Sequence, residues 1–305
     1  MDLMFSRETS GARLEGRPIV ALESALLTHG LPFPANLETV QRMEAAIRSE
    51  GAEPALIAVV GGQIRIGVEA EDLERLARGR SARKCSVREL PIAAARKEDG
   101  GTTVAATAWL AHLAGIRIMV TGGIGGVHRG QPFDVSADLD ALARTPLIVV
   151  CSGAKAILDL PLTIEALETR GVPVVGYGCD EFPAFYSRRS GLPVDVRVDT
   201  PQEVADLAVA RDSLGLSESL LVCVPVPKEF DIPAEEIADS VAQAVADAEK
   251  MGIRGKAITP FLLARVSELT GQRSERANRA LLENNARVSA QIAAAVQSLP
   301  RARNR

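Results

Sequence analysis

The segment Thr121-Gly122-Gly123-Ile124-Gly125-Gly126-Val127-His128-Arg129-Gly130 contains five glycines and directly follows the apolar run 116–120. A strand that ends in such a loop brings its backbone very close to another group, and we expect that group to be a ligand. His128 lies in this glycine loop (residues 121–130), and two carboxylates, Asp134 and Asp138, follow it. The pattern therefore predicts a site where backbone donors, an imidazole and carboxylates converge.

The composition is typical of a folded enzyme. The 305 residues are 47% hydrophobic and carry a net charge of −4, which argues against a nucleic-acid surface because no broad cationic face could neutralise phosphates. No apolar run approaches the ~20 residues of a membrane span, and no signal-peptide core begins the chain, so we expect a cytoplasmic protein with no membrane partner. The four scattered cysteines are expected to be small buried side chains rather than disulfides or zinc ligands.

Short apolar runs alternate with amphipathic segments, which predicts an α/β fold with α/β/α layers. A hairpin at Gly61-Gly62 predicts a mixed β-sheet. We expect strands at 18–22, 56–60, 64–68, 116–120, 147–151, 172–177 and 219–224. Helices are expected to begin at the cap Asn36, at Thr102, Ala137, Thr163, Pro201, Ala234 and Thr259, and to end with one at 274–298.

The chain contains no repeat or linker, which favours one domain. The expected boundaries are an N-terminal extension (1–16), a single catalytic domain (17–298) and a basic C-terminal tail (299–305) that is expected to be disordered.

Two polar residues follow predicted strands, where ligands collect in open α/β sheets. Lys155 lies between Ala154 and Ala156, just after the run 147–151. Such surroundings desolvate the ammonium and favour the free amine, a nucleophile toward a carbonyl or a sugar C1. Glu23 follows the first predicted strand, and a partly buried carboxyl there is suited to protonate a leaving or ring oxygen.

A phosphate site is expected at the helix start Gly100-Gly101-Thr102-Thr103. It offers free N–H groups, two hydroxyls and the positive end of a helix dipole, and Lys84 would supply the counter-charge. The segment lacks the Gly-Lys-Ser/Thr of a Walker A loop. An ordinary threonine N-cap explains the same residues, and that alternative stays open.

Together these segments resemble the pseudouridine-5'-phosphate glycosidase (pseudouridylate synthase) family, which is related to the indigoidine synthase A proteins. The matching blocks are collinear over residues 17–295: 21–24, 28–32, 84–86, 100–107, 122–130, 133–139, 151–155, 158–161 and 284–286. The resemblance implies an enzyme that reversibly cleaves the C–C bond between uracil and ribose 5-phosphate. It also implies a divalent cation, Mn²⁺ or another such as Mg²⁺, and a homo-oligomer, specifically a homotrimer.

The resemblance also implies roles for particular residues. Lys155 corresponds to the nucleophile that forms a ring-opened imine, Glu23 to the proton donor and Asp134 to the metal ligand. The expected substrate-binding residues are Lys84, Thr103, Val104, His128, Ser136, Ala137, Asp138 and Asn278, of which His128 and Asn278 face the base.

Two departures from the family pattern concern the loop Gln131-Pro132, which is shorter than expected, and Cys85, which replaces an aliphatic residue. The short loop leaves the metal geometry and any lid open. Two alternatives also remain. The first is a class-I-aldolase-like lyase that would use the Lys155 imine without a base pocket or metal. The second is a non-enzymatic protein that binds a sugar phosphate.

Overall fold

The computed structural model describes residues 2–79, 81–253, 255 and 258–299. Most of the basic tail expected at 299–305 lies outside the described residues. The strands are β1 (Leu3–Phe5), β2 (Ile19–Glu23), β3 (Glu53–Val60), β4 (Gln63–Ile66), β5 (Arg83–Cys85), β6 (Gly100–Thr102), β7 (Ile118–Val120), β8 (Val127–His128), β9 (Gln131–Val135), β10 (Ile148–Cys151), β11 (Leu158–Asp159), β12 (Val174–Tyr177), β13 (Val196–Val198) and β14 (Leu220–Cys223).

The helices are α1 (Arg7–Glu15), α2 (Ala25–His29), α3 (Ala35–Ser49), α4 (Ala70–Arg78), α5 (Leu90–Ala95), α6 (Val104–Leu113), α7 (Ala137–Leu142), α8 (Leu160–Thr169), α9 (Pro201–Ser213), α10 (Ala234–Lys250), α11 (Ile258–Leu269) and α12 (Arg273–Ser298). Short 3₁₀ turns cover Val87–Glu89 and Lys228–Phe230. Among the helices that the structure describes, none is long and apolar enough to cross a membrane.

One large sheet organises the chain. Within the described residues its strand order is β1-β4-β3-β2-β7-β10-β14-β12-β13, and β6 joins β3 to β5. Pairing is parallel except where β3 meets β4 and β6. The expected mixed sheet and the hairpin at Gly61-Gly62 are therefore confirmed. A second, small antiparallel sheet, β11-β8-β9, projects from the glycine loop.

Helices cover both faces of the sheet. The helix α6 contacts β2, β3 and β7 and packs beside α7 on one face. The helix α12 also contacts β2 and β7, packs between α3 and α9, and forms the centre of the other layer. The strands between these layers are buried along their length, as β3 illustrates from Glu53 to Val60, because both of their faces are covered. The α/β/α layering predicted from the sequence is confirmed.

Long apolar runs predicted strands well, and short strands went unrecognised. All seven predicted strands occur, as β2, β3, β4, β7, β10, β12 and β14. The unpredicted strands are two to five residues long and depend on their neighbours rather than on a hydrophobic pattern. One of them, β1, pairs in parallel with β4, so residues of the expected N-terminal extension belong to the large sheet.

Three helix starts differ from the sequence prediction by more than one residue. Asn36 does not cap α3: it is buried inside the first turn, where its amide donates to the main-chain oxygens of Leu27 and Ala77 at 2.6 and 2.9 Å. The cap position belongs to Pro34. The helix α8 begins at Leu160, after the cap Asp159, and the expected start Thr163 lies within it. The helix α6 begins at Val104 rather than Thr102, which belongs to β6.

The cysteines are free thiols, as expected. Cys85, Cys151 and Cys223 are buried, and Cys179 is partly buried. Burial raises the pKa of the Cys179 thiol to about 11, which keeps it protonated at neutral pH.

Candidate active site

Three neighbouring parallel strands end at one level of the sheet. Leu22 of β2, Val120 of β7 and Val150 of β10 lie in register. The carboxyl ends of parallel strands share one edge, which is where α/β sheets bind ligands. Glu23, the glycine loop and the segment that leads to Lys155 therefore emerge side by side.

Main-chain hydrogen bonds attach the Lys155 segment to the glycine loop. The Ile124 N–H donates to the Gly153 carbonyl at 3.0 Å, and the Lys155 N–H donates to the Ile124 carbonyl at 3.1 Å. Gly153 has a φ of +76°, and a Cβ at this position would collide with the Pro183 carbonyl oxygen. Only glycine fits this turn without strain, and the turn brings Lys155 close enough for its charge to act on Glu23.

A cavity of about 210 Å³ opens at this edge. It is lined by every predicted site residue except Asp134. These residues are Glu23, Lys84, Thr103, Val104, His128, Ser136, Ala137, Asp138, Lys155 and Asn278. The sequence segments that carry them are distant in the chain, and the fold brings them to one place.

Glu23 is a buried acid, with 7% of its surface exposed. Its carboxyl group accepts a hydrogen bond from the Thr121 hydroxyl. Burial raises the pKa of Glu23, and the positive charge of Lys155 and the bond from Thr121 oppose this shift without cancelling it. A carboxyl group with a raised pKa keeps its proton closer to neutral pH, which suits a proton donor.

Asn285 of α12 connects the residues that follow β7 and β10, next to Glu23. Its amide donates to the Thr121 carbonyl and to the Ser152 hydroxyl, both at 3.1 Å, and its side chain is fully buried. Thr121 thus faces Glu23 through its hydroxyl and Asn285 through its carbonyl. A buried and satisfied network of this kind fixes the position of the groups it joins.

The glycine loop passes close to protein groups, and these explain why three of its residues are glycine. A Cβ at Gly123 would lie 2.6 Å from the Phe185 ring. Cβ atoms at Gly125 and Gly126 would clash with the side chains of Ser136 and Thr163. These glycines let the loop pack against its neighbours, and Gly122, Gly123 and Gly125 also line the cavity.

Asp138 joins the glycine loop to α6. One carboxylate oxygen accepts from the Gly125 N–H at 2.8 Å and the other from the Ala105 N–H at 3.0 Å. The side chain is 5% exposed, and Ser136 caps the same turn by accepting from the Asp138 N–H. Asp138 therefore shapes the cavity wall as well as facing it, and the Ala105 donor at the start of α6 is already occupied.

The expected phosphate cradle is only partly present. Gly100 and Gly101 lie in β6, paired with β3 and β5, and a Cβ at Gly101 would collide with Thr28. They are therefore needed for packing rather than for a helix start. Thr103 occupies the N-cap position of α6, but its buried hydroxyl makes no capping bond and has no hydrogen-bond partner among the described residues. Thr103, Val104, Lys84 and Ser86 form this end of the cavity.

His128 and Asp134 belong to the small sheet. His128 is partly buried and lines the cavity; burial lowers its pKa, and the charge of Asp134 opposes this shift. Asp134 lies on β9, partly buried, and does not line the cavity. In the described part of the chain, no three His, Cys, Asp or Glu side chains are close enough to hold a metal together. Asp134 offers one hard oxygen donor beside His128, which fits only an ion that keeps most of its water.

Phe185 is a cavity residue that the sequence did not indicate. Its backbone has a φ of 64°, which is rare for a bulky side chain, and its ring packs against Gly122 and Gly123. The Phe185 N–H donates to the Ser152 carbonyl at 3.1 Å. Phe185, Leu263 and Leu282 form an apolar wall near Asn278. No local sequence pattern indicates that Phe185 lines the cavity, because its position depends on contacts with distant residues.

A family model described as indigoidine synthase A like protein matches residues 8–295. The chain belongs to the indigoidine synthase A-like family. Its relatives include the pseudouridine-5'-phosphate glycosidase of Methylobacterium nodulans, which is 54% identical over 97% of this chain and 88% of the relative. The pseudouridine-5'-phosphate glycosidase of Solibacter usitatus is 53% identical over 97% of this chain and all of the relative (100%).

Two solved structures share the fold. An indigoidine synthase A-like protein from Thermotoga maritima has a TM-score of 0.89 and 37% identity, covering 97% of this chain and 96% of that one. The prealnumycin C-glycosynthase AlnA, solved in complex with ribulose 5-phosphate, has the same TM-score of 0.89 and 37% identity, covering 97% of both chains. The family predicted from the sequence blocks is confirmed.

Proposed function

We propose that this protein is a pseudouridine-5'-phosphate glycosidase, which reversibly splits the C–C bond between uracil and ribose 5-phosphate. The observation that carries the proposal is that Lys155 and the buried acid Glu23 lie in one cavity, which Lys84 and Thr103 also line. The names of relatives that are about half identical support the substrate. The sugar phosphate in the AlnA structure supports the same class of ligand.

The reaction begins at the ribose ring. Protonated Glu23 donates its proton to the ring oxygen while the bond from that oxygen to C1 breaks, and the Lys155 amine forms a bond to C1. Glu23 then takes the proton that the Lys155 nitrogen loses. A C–C glycoside has no leaving heteroatom for the usual two-carboxylate hydrolysis to protonate, so a nitrogen nucleophile is needed to open the sugar.

The C–C bond breaks in the second stage. Its electron pair stays on uracil C5, which receives the proton held by Glu23, and C1 and the Lys155 nitrogen become a protonated imine. Water adds to this imine and releases ribose 5-phosphate, and the excess proton returns to Glu23, which restores the free amine and the protonated acid. Atoms and charge balance with one water consumed per turnover.

The phosphate is held at the Thr103 end of the cavity. The unpartnered Thr103 hydroxyl can donate to a phosphate oxygen, and Lys84 supplies positive charge from β5. Remote binding of the phosphate positions C1 between Glu23 and Lys155, since energy from a part that does not react is used for orientation. His128 and Asn278 remain to contact the base.

A divalent cation, Mn²⁺ or Mg²⁺, belongs to the same proposal, with Asp134 as the protein residue that would hold it. Such an ion, when bound, neutralises negative charge and orders water and substrate oxygens. The hard oxygen donor of Asp134 suits these ions. A cytoplasmic homotrimer is likewise proposed, and light scattering measures the oligomeric state.

The test is incubation with pseudouridine 5'-phosphate and Mn²⁺, followed by chromatography for uracil. Uracil and ribose 5-phosphate are expected in equal amounts. If correctly folded protein released no uracil, the proposal would be refuted. A class-I-aldolase-like lyase would cleave a sugar phosphate without a base or a metal. A non-enzymatic binding protein would bind the substrate and leave it intact.

A further inference from the structure

A second cavity adjoins the catalytic one. Its volume is about 260 Å³, and it lies between residues 30–32, helix α11 and the beginning of α12. Four residues line both cavities: Gly30, Leu31, Leu263 and Asn278. The two cavities therefore adjoin along this shared wall.

The shared wall lies away from the phosphate end. Lys84, Ser86, Thr103 and Val104 line only the catalytic cavity, whereas Asn278 lines both. In the proposed binding mode, with the phosphate at Thr103 and C1 at Lys155, Asn278 contacts the base. The second cavity therefore continues from the base end.

The two cavities differ in the cations that line them. Lys84 and Lys155 line the catalytic cavity, together with the acids Glu23 and Asp138. Glu268 and Glu275 are the charged side chains in the described lining of the second cavity, which includes no lysine or arginine. Glu268 is paired with Arg265 at 2.8 Å, so the charge of Glu275 and the lack of a cation in this described lining are what disfavour a sugar phosphate there. Both have little effect on a neutral base.

The remaining walls suit a small planar molecule with hydrogen-bonding edges. Leu31, Pro32, Leu263 and Ala264 provide apolar surface, and Ser267, Gln272 and the Asn278 amide provide polar groups. Tyr186 also lines the second cavity; it is 2% exposed, and its side chain is hydrogen-bonded to Ser274.

We propose that the second cavity is the passage through which the neutral base leaves and enters, while the sugar phosphate stays on Lys155. This inference rests on the proposed function. It makes release ordered: the base departs through the α11 side, and ribose 5-phosphate leaves afterwards from the lysine-lined cavity. In the synthetic direction the base reaches a preformed imine without displacing the phosphate.

The test narrows the passage by Ala264→Trp and, separately, by Ser267→Trp. The matched control is Leu269→Trp on the same helix, because Leu269 is 38% exposed and lines neither cavity. Synthesis of pseudouridine 5'-phosphate is measured with uracil varied at saturating ribose 5-phosphate, and then with ribose 5-phosphate varied. Borohydride trapping at Lys155 reports on folding and imine formation independently.

In the two narrowed variants we expect kcat/KM for uracil to fall about tenfold or more, while KM for ribose 5-phosphate and imine trapping stay within about twofold of the control. Uracil kinetics equal to those of Leu269→Trp, or an equal loss for both substrates, would overturn the passage. Absence of uracil chemistry in the unmodified protein would instead refute the proposed function.

Discussion

The Thr121 hydroxyl donates a hydrogen bond to the carboxyl group of Glu23, and the two residues end neighbouring strands of the sheet. This bond lowers the pKa of Glu23 against the larger, opposite effect of burial. Thr121 therefore adjusts the pKa of Glu23. The side-chain amide of Asn285 in turn holds Thr121 in place by donating a hydrogen bond to the Thr121 carbonyl.

Replacing Thr121 by valine is expected to raise the pKa of Glu23 further, because the hydrogen bond that favours the ionised form is lost. The proton donor is active below its pKa, so the alkaline limb of the kcat profile should move to higher pH. The measurement is kcat against pH with pseudouridine 5'-phosphate. A limb that moves to lower pH, or persists unchanged in Glu23→Gln, would contradict the assignment.

Glu23→Gln removes the donated proton but preserves the shape of the side chain. Loss of a general acid typically costs ~10²–10⁴-fold, so kcat should fall within that range while substrate binding is largely retained. Steady-state kinetics together with calorimetric binding of the substrate separate the two effects. A similar loss in binding would assign Glu23 to recognition rather than proton transfer.

Lys155→Ala is expected to abolish turnover because Lys155 is the amine that follows β10 and lines the cavity. Borohydride reduction of the unmodified protein with ribose 5-phosphate should attach one sugar phosphate, and peptide mass spectrometry should locate it at Lys155. Lys84 is the internal control, since it lines the same cavity. Labelling at Lys84 would reverse the roles of the two lysines.

Glu23 and Lys155 could be predicted from the sequence because each follows a strand whose apolar run is unmistakable. The parallel register of β2, β7 and β10 then brings them together. Asn278, from the opposite layer of the fold, was recognised by family resemblance. Strand patterns and the family blocks together therefore found most of the cavity lining.

Phe185 and the glycines illustrate what the sequence did not indicate. The place of Phe185 depends on a left-handed backbone conformation and on contact with Gly122 and Gly123, which are more than sixty residues away in the chain. Gly100 and Gly101 suggested a phosphate loop, yet they are glycines because Cys85 and Thr28 leave no room for a Cβ. Steric demands of this kind arise only once the elements have packed.

Unphosphorylated pseudouridine is expected to be a very poor substrate, because binding of the phosphate at Thr103 and Lys84 provides the energy that orients the reacting carbon. Thr103→Val should lower kcat/KM for the phosphorylated substrate by about tenfold, the usual cost of one hydrogen bond to a charged group. Its effect on pseudouridine should be small. Equal kcat/KM values for pseudouridine and pseudouridine 5'-phosphate would contradict a phosphate site at Thr103 and Lys84.

Two aspartates that are close in sequence are expected to respond differently to substitution. Asp134 lies on β9 beside His128 and outside the cavity lining, whereas both oxygens of Asp138 accept main-chain hydrogen bonds from Gly125 and Ala105. Asp138→Ala should therefore weaken substrate binding and also lower the free energy of unfolding by about 1–3 kcal/mol, because two buried donors lose their acceptor. Thermal or denaturant unfolding measures the second effect.

Asp134→Ala should leave the unfolding free energy nearly unchanged and sharply weaken activation by Mn²⁺. Hard divalent ions keep several waters when a protein offers one carboxylate, so the loss of that carboxylate removes their main attachment. Electron paramagnetic resonance of Mn²⁺ titrated into each variant reports binding without relying on activity. Asp138→Ala should retain most of the Mn²⁺ binding of the unmodified protein. Two results would show that the ion does not bind at β9. One is that Asp134→Ala binds Mn²⁺ as the unmodified protein does, and the other is that only Asp138→Ala loses Mn²⁺ binding.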